Sequence, residues 1–166
     1  MPDPDQVALP RQLHDRLLAT VLDRYPRKSF GYLVSGGDPH RPTDFVLFQD
    51  NIRNQPDWRP GFESWGRYFV SHPDAGFVAT PEESWRVQKL LWQRGWREVA
   101  VFHTHRRHPG SFSGIDYDLH IRRFGGLWHL IISLRNPRQP QLRMYRVTAA
   151  GVHELPLLLA SAGSDR

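Results

Sequence analysis

The chain has 166 residues and no cysteine, with 39% hydrophobic and 12% aromatic residues, 22 Lys+Arg against 17 Asp+Glu, and nine His. That length fits one compact domain burying about two thirds of the surface its unfolded form exposes, so no staple is needed. The lack of Cys excludes disulfide scaffolds, thiol nucleophiles and thiolate zinc sites. No apolar run reaches the roughly 18 residues that span a bilayer, and the opening MPDPDQ is acidic rather than basic and then apolar. A cytoplasmic protein without membrane association is therefore expected. The net charge of +5 rests almost wholly on scattered Arg, with Lys only at Lys28 and Lys89. We read it as background composition and expect no nucleic-acid partner.

In chain order, Leu9, Leu13, Leu17, Val21 and Tyr25 recur every four residues, which predicts an amphipathic helix with Pro10 in its first turn, ending before Pro26. Phe30 to Ser35 reads as a strand closed by Gly36-Gly37, with Asp44 to Gln49 as its hairpin partner. Asp50 to Gly76 has no clear period apart from a strand-like Arg67 to Val70, and long ordered excursions of this kind are often functional. Thr80-Pro81-Glu82-Glu83 is a capping-box pattern opening a helix that Gly95 stops. Glu98 to Thr104 is apolar on both faces as far as Phe102 and predicts a central strand. A polar loop, a short helix from Ile115 to Phe124, strands over Trp128 to Leu134 and Gln141 to Val147, and a last short strand after Gly151 complete the pattern. The expected architecture is an α/β fold: one domain over residues 1–166, core about 9–156, whose mixed β-sheet is flanked by helices.

His103 and His105 stand at the end of the strand read as most buried. Residues i and i+2 of a strand share a face, so both imidazoles converge about 7 Å apart along the chain. Alone, a His-x-His is most often a solvated strand end. Here Ser113 follows, and then Asp116 at the start of a predicted helix. Two His and one carboxylate form the ligand set of a catalytic zinc that keeps one position open. Taken singly, Ser113 also reads as an ordinary helix N-cap and Asp116 as a first-turn charge favoured by the helix dipole.

The spacing His-x-His-x7-Ser-x2-Asp resembles the signature of the JAMM/MPN+ (Mov34/JAB) metalloproteases. Residues 25–33 resemble that family's first helix running into its first strand. Strands at Trp128 to Leu134 and Leu142 to Val147 resemble those following the metal loop in small bacterial members that act on sulfur-carrier proteins. The resemblance covers roughly Leu9 to Pro156. It implies a JAB1/MPN-like layered architecture, related in outline to cytidine deaminases, with Zn²⁺ held by His103, His105 and Asp116 and with Ser113 hydrogen-bonding the attacking water or the oxyanion. The implied reaction is hydrolysis after the C-terminal Gly-Gly of a ubiquitin-like or sulfur-carrier protein. Arg106 and Arg107, flanking the metal loop, would suit acidic residues on such a carrier. A zinc nucleoside deaminase is excluded, because its Pro-Cys-x-x-Cys element needs cysteine.

One position departs from the family pattern. Where the family has its general-base Glu, this chain has Lys28, and a protonated amine cannot accept the proton. Three explanations stay open: the alignment slips, although Pro26 and Gly31 pin it; another carboxylate, with Glu63 the preferred candidate, acts from elsewhere; or the chain is a binding module for a ubiquitin-like partner without efficient hydrolysis. Glu98 is too far along its strand, about 16 Å from His103, and Glu82 and Glu83 read as cap residues. Trp58, Trp65, Phe69 and Phe112 fall in segments that could border the site, though core or loop anchoring explains most of them.

Overall fold

The computed structural model describes residues 4–161. Leu13, Leu17 and Val21 form the buried stripe of the helix Arg11–Arg24 (α1). Leu9 does not belong to that helix: Val7–Pro10 is a strand (β1), whose alternation buries Val7 and Leu9. Strands Phe30–Ser35 (β2) and Asp44–Leu47 (β3) pair antiparallel, as the hairpin pattern predicts.

The excursion between residues 50 and 76 holds two one-turn helices, Arg59–Glu63 (α2) and Arg67–Ser71 (α3), and Arg67–Val70 is thus helix rather than the expected strand. Tyr, Phe and Val suit a pleated surface, but no partner strand is available here, and the helical turn buries Phe69 against Phe62 and Trp65 while leaving Val70 outside. Arg53 is fully buried and ties the segment together: Nη2 donates to the Phe69 carbonyl at 2.7 Å and Nε to the Ala75 carbonyl at 2.8 Å.

Helix Pro81–Arg94 (α4) follows its pattern closely. Thr80 Oγ1 accepts from Glu83 N at 3.1 Å, and Gly95 takes the left-handed conformation (φ +64°) that ends it. The Glu83 carboxylate accepts from the Gln49 main-chain N–H, so it braces the end of the β3 segment. Arg97–His105 (β4) lies between β2 and Trp128–Ser133 (β5), antiparallel to the first and parallel to the second, with helix Gly114–Arg123 (α5) in the crossover between β4 and β5. Gln141–Thr148 (β6) and Gly151–Leu155 (β7) extend the sheet, giving the order β3-β2-β4-β5-β6-β7. A further strand, Leu157–Ala160 (β8), pairs parallel with β1 and carries the fold past the expected limit at Pro156.

The sheet separates two cores. On one face α1 and β1 pack Leu13, Leu17, Val7 and Leu9 against Leu33, Phe102, Leu130 and Met144. On the other, α4 brings Val87 and Leu91 to Phe30, Val34 and Val101, while Ile131, Tyr145 and Val147 form a separate patch. Burial of each large apolar side chain is worth about 1.5–3 kcal/mol. This is a single mixed α/β domain with helices on the sheet faces. No helix among the described residues is long and apolar enough to cross a membrane.

Candidate metal centre

Alternation along β4 sends Phe102 to the α1 face and His103 and His105 to the other. The strand end is fastened at Thr104, whose Oγ1 accepts from Ser29 N at 2.9 Å and whose N–H donates to the Ser29 carbonyl at 3.0 Å. The loop after His105 is likewise held: Ser133 Oγ donates to the His108 carbonyl at 2.6 Å and Tyr145 Oη to the Gly110 carbonyl at 2.5 Å. It delivers Ser113 as the N-cap of α5 in a reciprocal capping box. Ser113 Oγ accepts from Asp116 N at 3.1 Å and donates to Asp116 Oδ2 at 2.8 Å, and Ser113 N donates to the same oxygen at 3.0 Å. The Ser113 hydroxyl therefore orients the carboxylate of Asp116.

His103, His105 and Asp116 each turn one donor atom toward a common point, all within 4.8 Å of one another. His103 Nε2 is 2.9 Å from His105 Nε2 and 3.3 Å from Asp116 Oδ1, and His105 Nε2 is 3.7 Å from Asp116 Oδ2. For a tetrahedral zinc with ligands at 2.0–2.1 Å, neighbouring donor atoms stand about 3.3 Å apart; the His103–Oδ1 contact matches that edge, the two nitrogens lie somewhat closer, and the His105 contact is to the carboxylate's other oxygen. His105 Nδ1 lies 2.9 Å from the Pro109 carbonyl, which keeps the proton on that nitrogen and leaves Nε2 with its lone pair. The donor set fits a divalent metal ion.

Electrostatics agree. Burial pushes His103 down to about 4, reinforced by His105 and Lys28 against the pull of Asp116, so the imidazole is neutral and able to ligate at neutral pH. Burial alone would raise Asp116, but the adjoining His103 and His105 outweigh it and hold the carboxyl well below the usual range, so it stays ionised.

The site opens into a cavity of about 320 Å³ lined by Lys28, Tyr68, Asp74, His105, Arg106, Ser113 and Asp116, among others. Lys28 is half-buried, and burial lowers its ammonium to about 8 while the Asp116 and Asp74 charges oppose the shift. Its Nζ donates to the Asp74 carbonyl at 2.6 Å.

Of the residues nominated from sequence, His103, His105, Asp116 and Ser113 come together, and Arg106 lines the cavity beside them. Arg107 is exposed and outside the lining. Glu63 is not among the cavity residues: its carboxylate pairs with Arg59 Nε at 2.7 Å on α2. The aromatic candidates are anchors. Trp65 packs on Phe62 and Phe69, Trp58 lies under the Arg123 guanidinium, and Phe112 packs on His129 and Tyr145. His108 contacts Tyr68 Oη through Nε2 at 3.2 Å rather than joining the three ligands. Two features escaped the sequence reading. Asp74 is one of four acids in the aperiodic stretch from Asp50 to Gly76, with no local signal to single it out. His129 and His120, stacked behind His103, sit in a strand and a helix whose apolar patterns hid them.

No family model and no curated protein matches the chain. Among solved structures, it is similar to protein DSY2949 of Desulfitobacterium hafniense (21% identity, 95% of this chain and 94% of that one, TM-score 0.69). It is also similar to a protein from Salinibacter ruber (19% identity, 96% and 94%, TM-score 0.60). AF2198, a JAB1/MPN domain protein from Archaeoglobus fulgidus, aligns more loosely, at 14% identity over 92% of this chain and 99% of that one, with TM-score 0.49. The first two likenesses establish the fold. Fold and site together define a mixed α/β domain with a His-His-Asp group able to hold a metal ion.

Proposed function

We propose that the chain is a zinc-dependent peptidase or isopeptidase that cleaves after the C-terminal Gly-Gly of a ubiquitin-like or sulfur-carrier protein. The observation that carries this reading is the convergence of His103 Nε2, His105 Nε2 and an Asp116 oxygen, all within 4.8 Å of one another, beside an open cavity that His105 and Asp116 line. A bound Zn²⁺ would supply a water acidified to a pKa near 7 and a Lewis acid for the scissile carbonyl. The chain's own residues supply the rest. Ser113 fixes the Asp116 carboxylate, and Pro109 fixes the His105 tautomer. We assign the proton-accepting role to Asp74, whose position on the cavity wall favours it over Glu63 beside Arg59. The Lys28 ammonium would stabilise negative charge developing at the substrate oxygen. Arg106, with Arg107 beyond it, would meet acidic residues of the carrier and guide its extended tail.

The test is a carrier protein extended beyond its Gly-Gly terminus, incubated with zinc-loaded protein and followed by mass spectrometry. Cleavage after Gly-Gly that is lost in His103→Ala is the expected outcome, and an intact fusion with a full complement of zinc would refute the assignment. A second reading, a binding module for a ubiquitin-like partner, draws on one observation: a cationic Lys28 faces the ligands from the wall where a proton acceptor is needed. In that case Lys28→Glu would create activity in an inert parent.

A further inference from the structure

Behind His103, on the side away from the cavity, a row of buried imidazoles runs into the core. His103 Nδ1 is 2.6 Å from His129 Nε2, and His129 Nδ1 is 2.9 Å from His120 Nδ1. His103, His129 and His120 are 2%, 1% and 0% exposed, so the row is shut off from bulk solvent. His129 lies on β5, opposite Val101 and on the face shared with His103, while His120 lies one helical turn after Asp116 on α5. Phe77, Phe112 and Phe124 pack on the three rings and complete the apolar wall. Among the described residues no carboxylate bonds to His129 or His120, so nothing in this buried row balances a charge on either ring.

We propose that His129 and His120 are positioning residues that fix the tautomer and the aim of His103 as a metal ligand. This inference rests on the metal-centre reading above. Each N···N contact needs one donor and one acceptor, so three neutral imidazoles in a row have two self-consistent proton orders. In one, His103 donates from Nδ1 to His129 Nε2, His129 donates from Nδ1 to His120 Nδ1, and His120 keeps its proton on Nε2. In the other the order is reversed, and His103 Nε2 carries a hydrogen that points at the ligand cluster and cannot ligate. Any mixed order puts two hydrogens, or two lone pairs, face to face.

A metal ion chooses between them at the near end. His105 presents its Nε2 lone pair 2.9 Å from His103 Nε2, and a metal held between the two requires a lone pair from His103 as well. That selects the first order, which places the far proton on His120 Nε2. Metal-ligating histidines commonly bond a carboxylate or carbonyl through their other nitrogen. Here a neutral chain does that work, which orients the ring while adding less electron density to the ligand than an anion would.

Zinc affinity by chelator competition, together with long-range proton–nitrogen NMR of the zinc-loaded protein, tests this. His129→Leu removes the acceptor at similar volume and should weaken zinc binding about 10- to 100-fold. His129→Gln, whose Oε1 can take the place of Nε2, should recover most of that loss, and His120→Leu should show a smaller one. In the wild-type protein the spectra should show His103 and His129 protonated at Nδ1 and His120 at Nε2; this readout needs no variant to fold. Wild-type affinity in folded His129→Leu, or His129 protonated at Nε2, would overturn the inference. Failure of the wild-type protein to bind zinc would overturn it together with the metal-centre reading. The expected variant order in a protein that cleaves no carrier supports the inference and removes the peptidase reading alone.

Discussion

Acidifying the metal-free protein should destabilise it in a window set by the buried imidazoles. His120 is held down to about 4 by burial, against an ordinary 6.5. Between those values the unfolded chain binds a proton that the native one refuses, so stability is full above about pH 6.5 and is lost progressively as the pH falls toward 4. At pH 5 an ordinary imidazole is about 97% protonated and the buried one about 10%, a difference worth about 2 kcal/mol for this one group. His103 and His129 shift in the same direction and add to the slope. Asp116, shifted well below the usual carboxylate range, keeps its contribution until the pH falls below this window. With a urea dependence of roughly 2 kcal/mol per molar, the His120 share moves the midpoint by about 1 M between neutrality and pH 5. Urea titrations in a chelating buffer, read by tryptophan fluorescence across that range, would measure it. His120→Asn should reduce the slope by about one proton, near 1.4 kcal/mol per pH unit. A variant that loses stability on acidification as steeply as the parent would refute the reasoning.

Three further outcomes are expected. His103→Ala and Asp116→Asn should each lower zinc affinity by more than the roughly 100-fold attached to an outer-shell partner, measured by chelator competition at neutral pH. Asp74→Asn should cut the rate of carrier cleavage about 10²- to 10⁴-fold while Glu63→Gln leaves it nearly unchanged, and the opposite order in steady-state kinetics would restore Glu63 as the proton acceptor. Gly31→Ala should cost about 3 kcal/mol in chemical denaturation, because a Cβ there strikes the Val46 carbonyl and comes 2.9 Å from the Phe102 ring in the middle of the sheet.

What could be read from the sequence was what local physics dictates. The strands of the main sheet and helices α4 and α5 carry their own periods and caps, and Thr80, Gly95 and Ser113 mark helix ends within a residue or two. The His-His-Asp group was legible for the same reason: His103 and His105 are related by strand alternation, and Asp116 by its place in a capped first turn. What stayed hidden depends on partners distant in the chain. β1 was absorbed into the α1 stripe because the strand that makes Val7–Pro10 extended lies about 150 residues later. Arg67–Val70 reads as strand by composition, yet Phe69 is anchored by Phe62 and its carbonyl is held by Arg53, neither of them a strand neighbour. His129 acquires meaning only once parallel pairing sets β5 beside β4, and Asp74 only once the excursion folds over Lys28.

The parallel pairing of β1 with β8 also bears on how the protein is made. Val7 and Leu9, fully buried in the α1-side core, leave the ribosome about 150 residues ahead of the segment that completes their backbone hydrogen bonds, Leu157–Ala160. A nascent chain can assemble the half of the sheet that carries the His-His-Asp group, through β5, and still hold Val7–Pro10 as an unpaired, apolar strand. Closure of that edge waits for translation to pass residue 160, and until then Val7–Pro10 is a segment for which a chaperone and a neighbouring nascent chain compete.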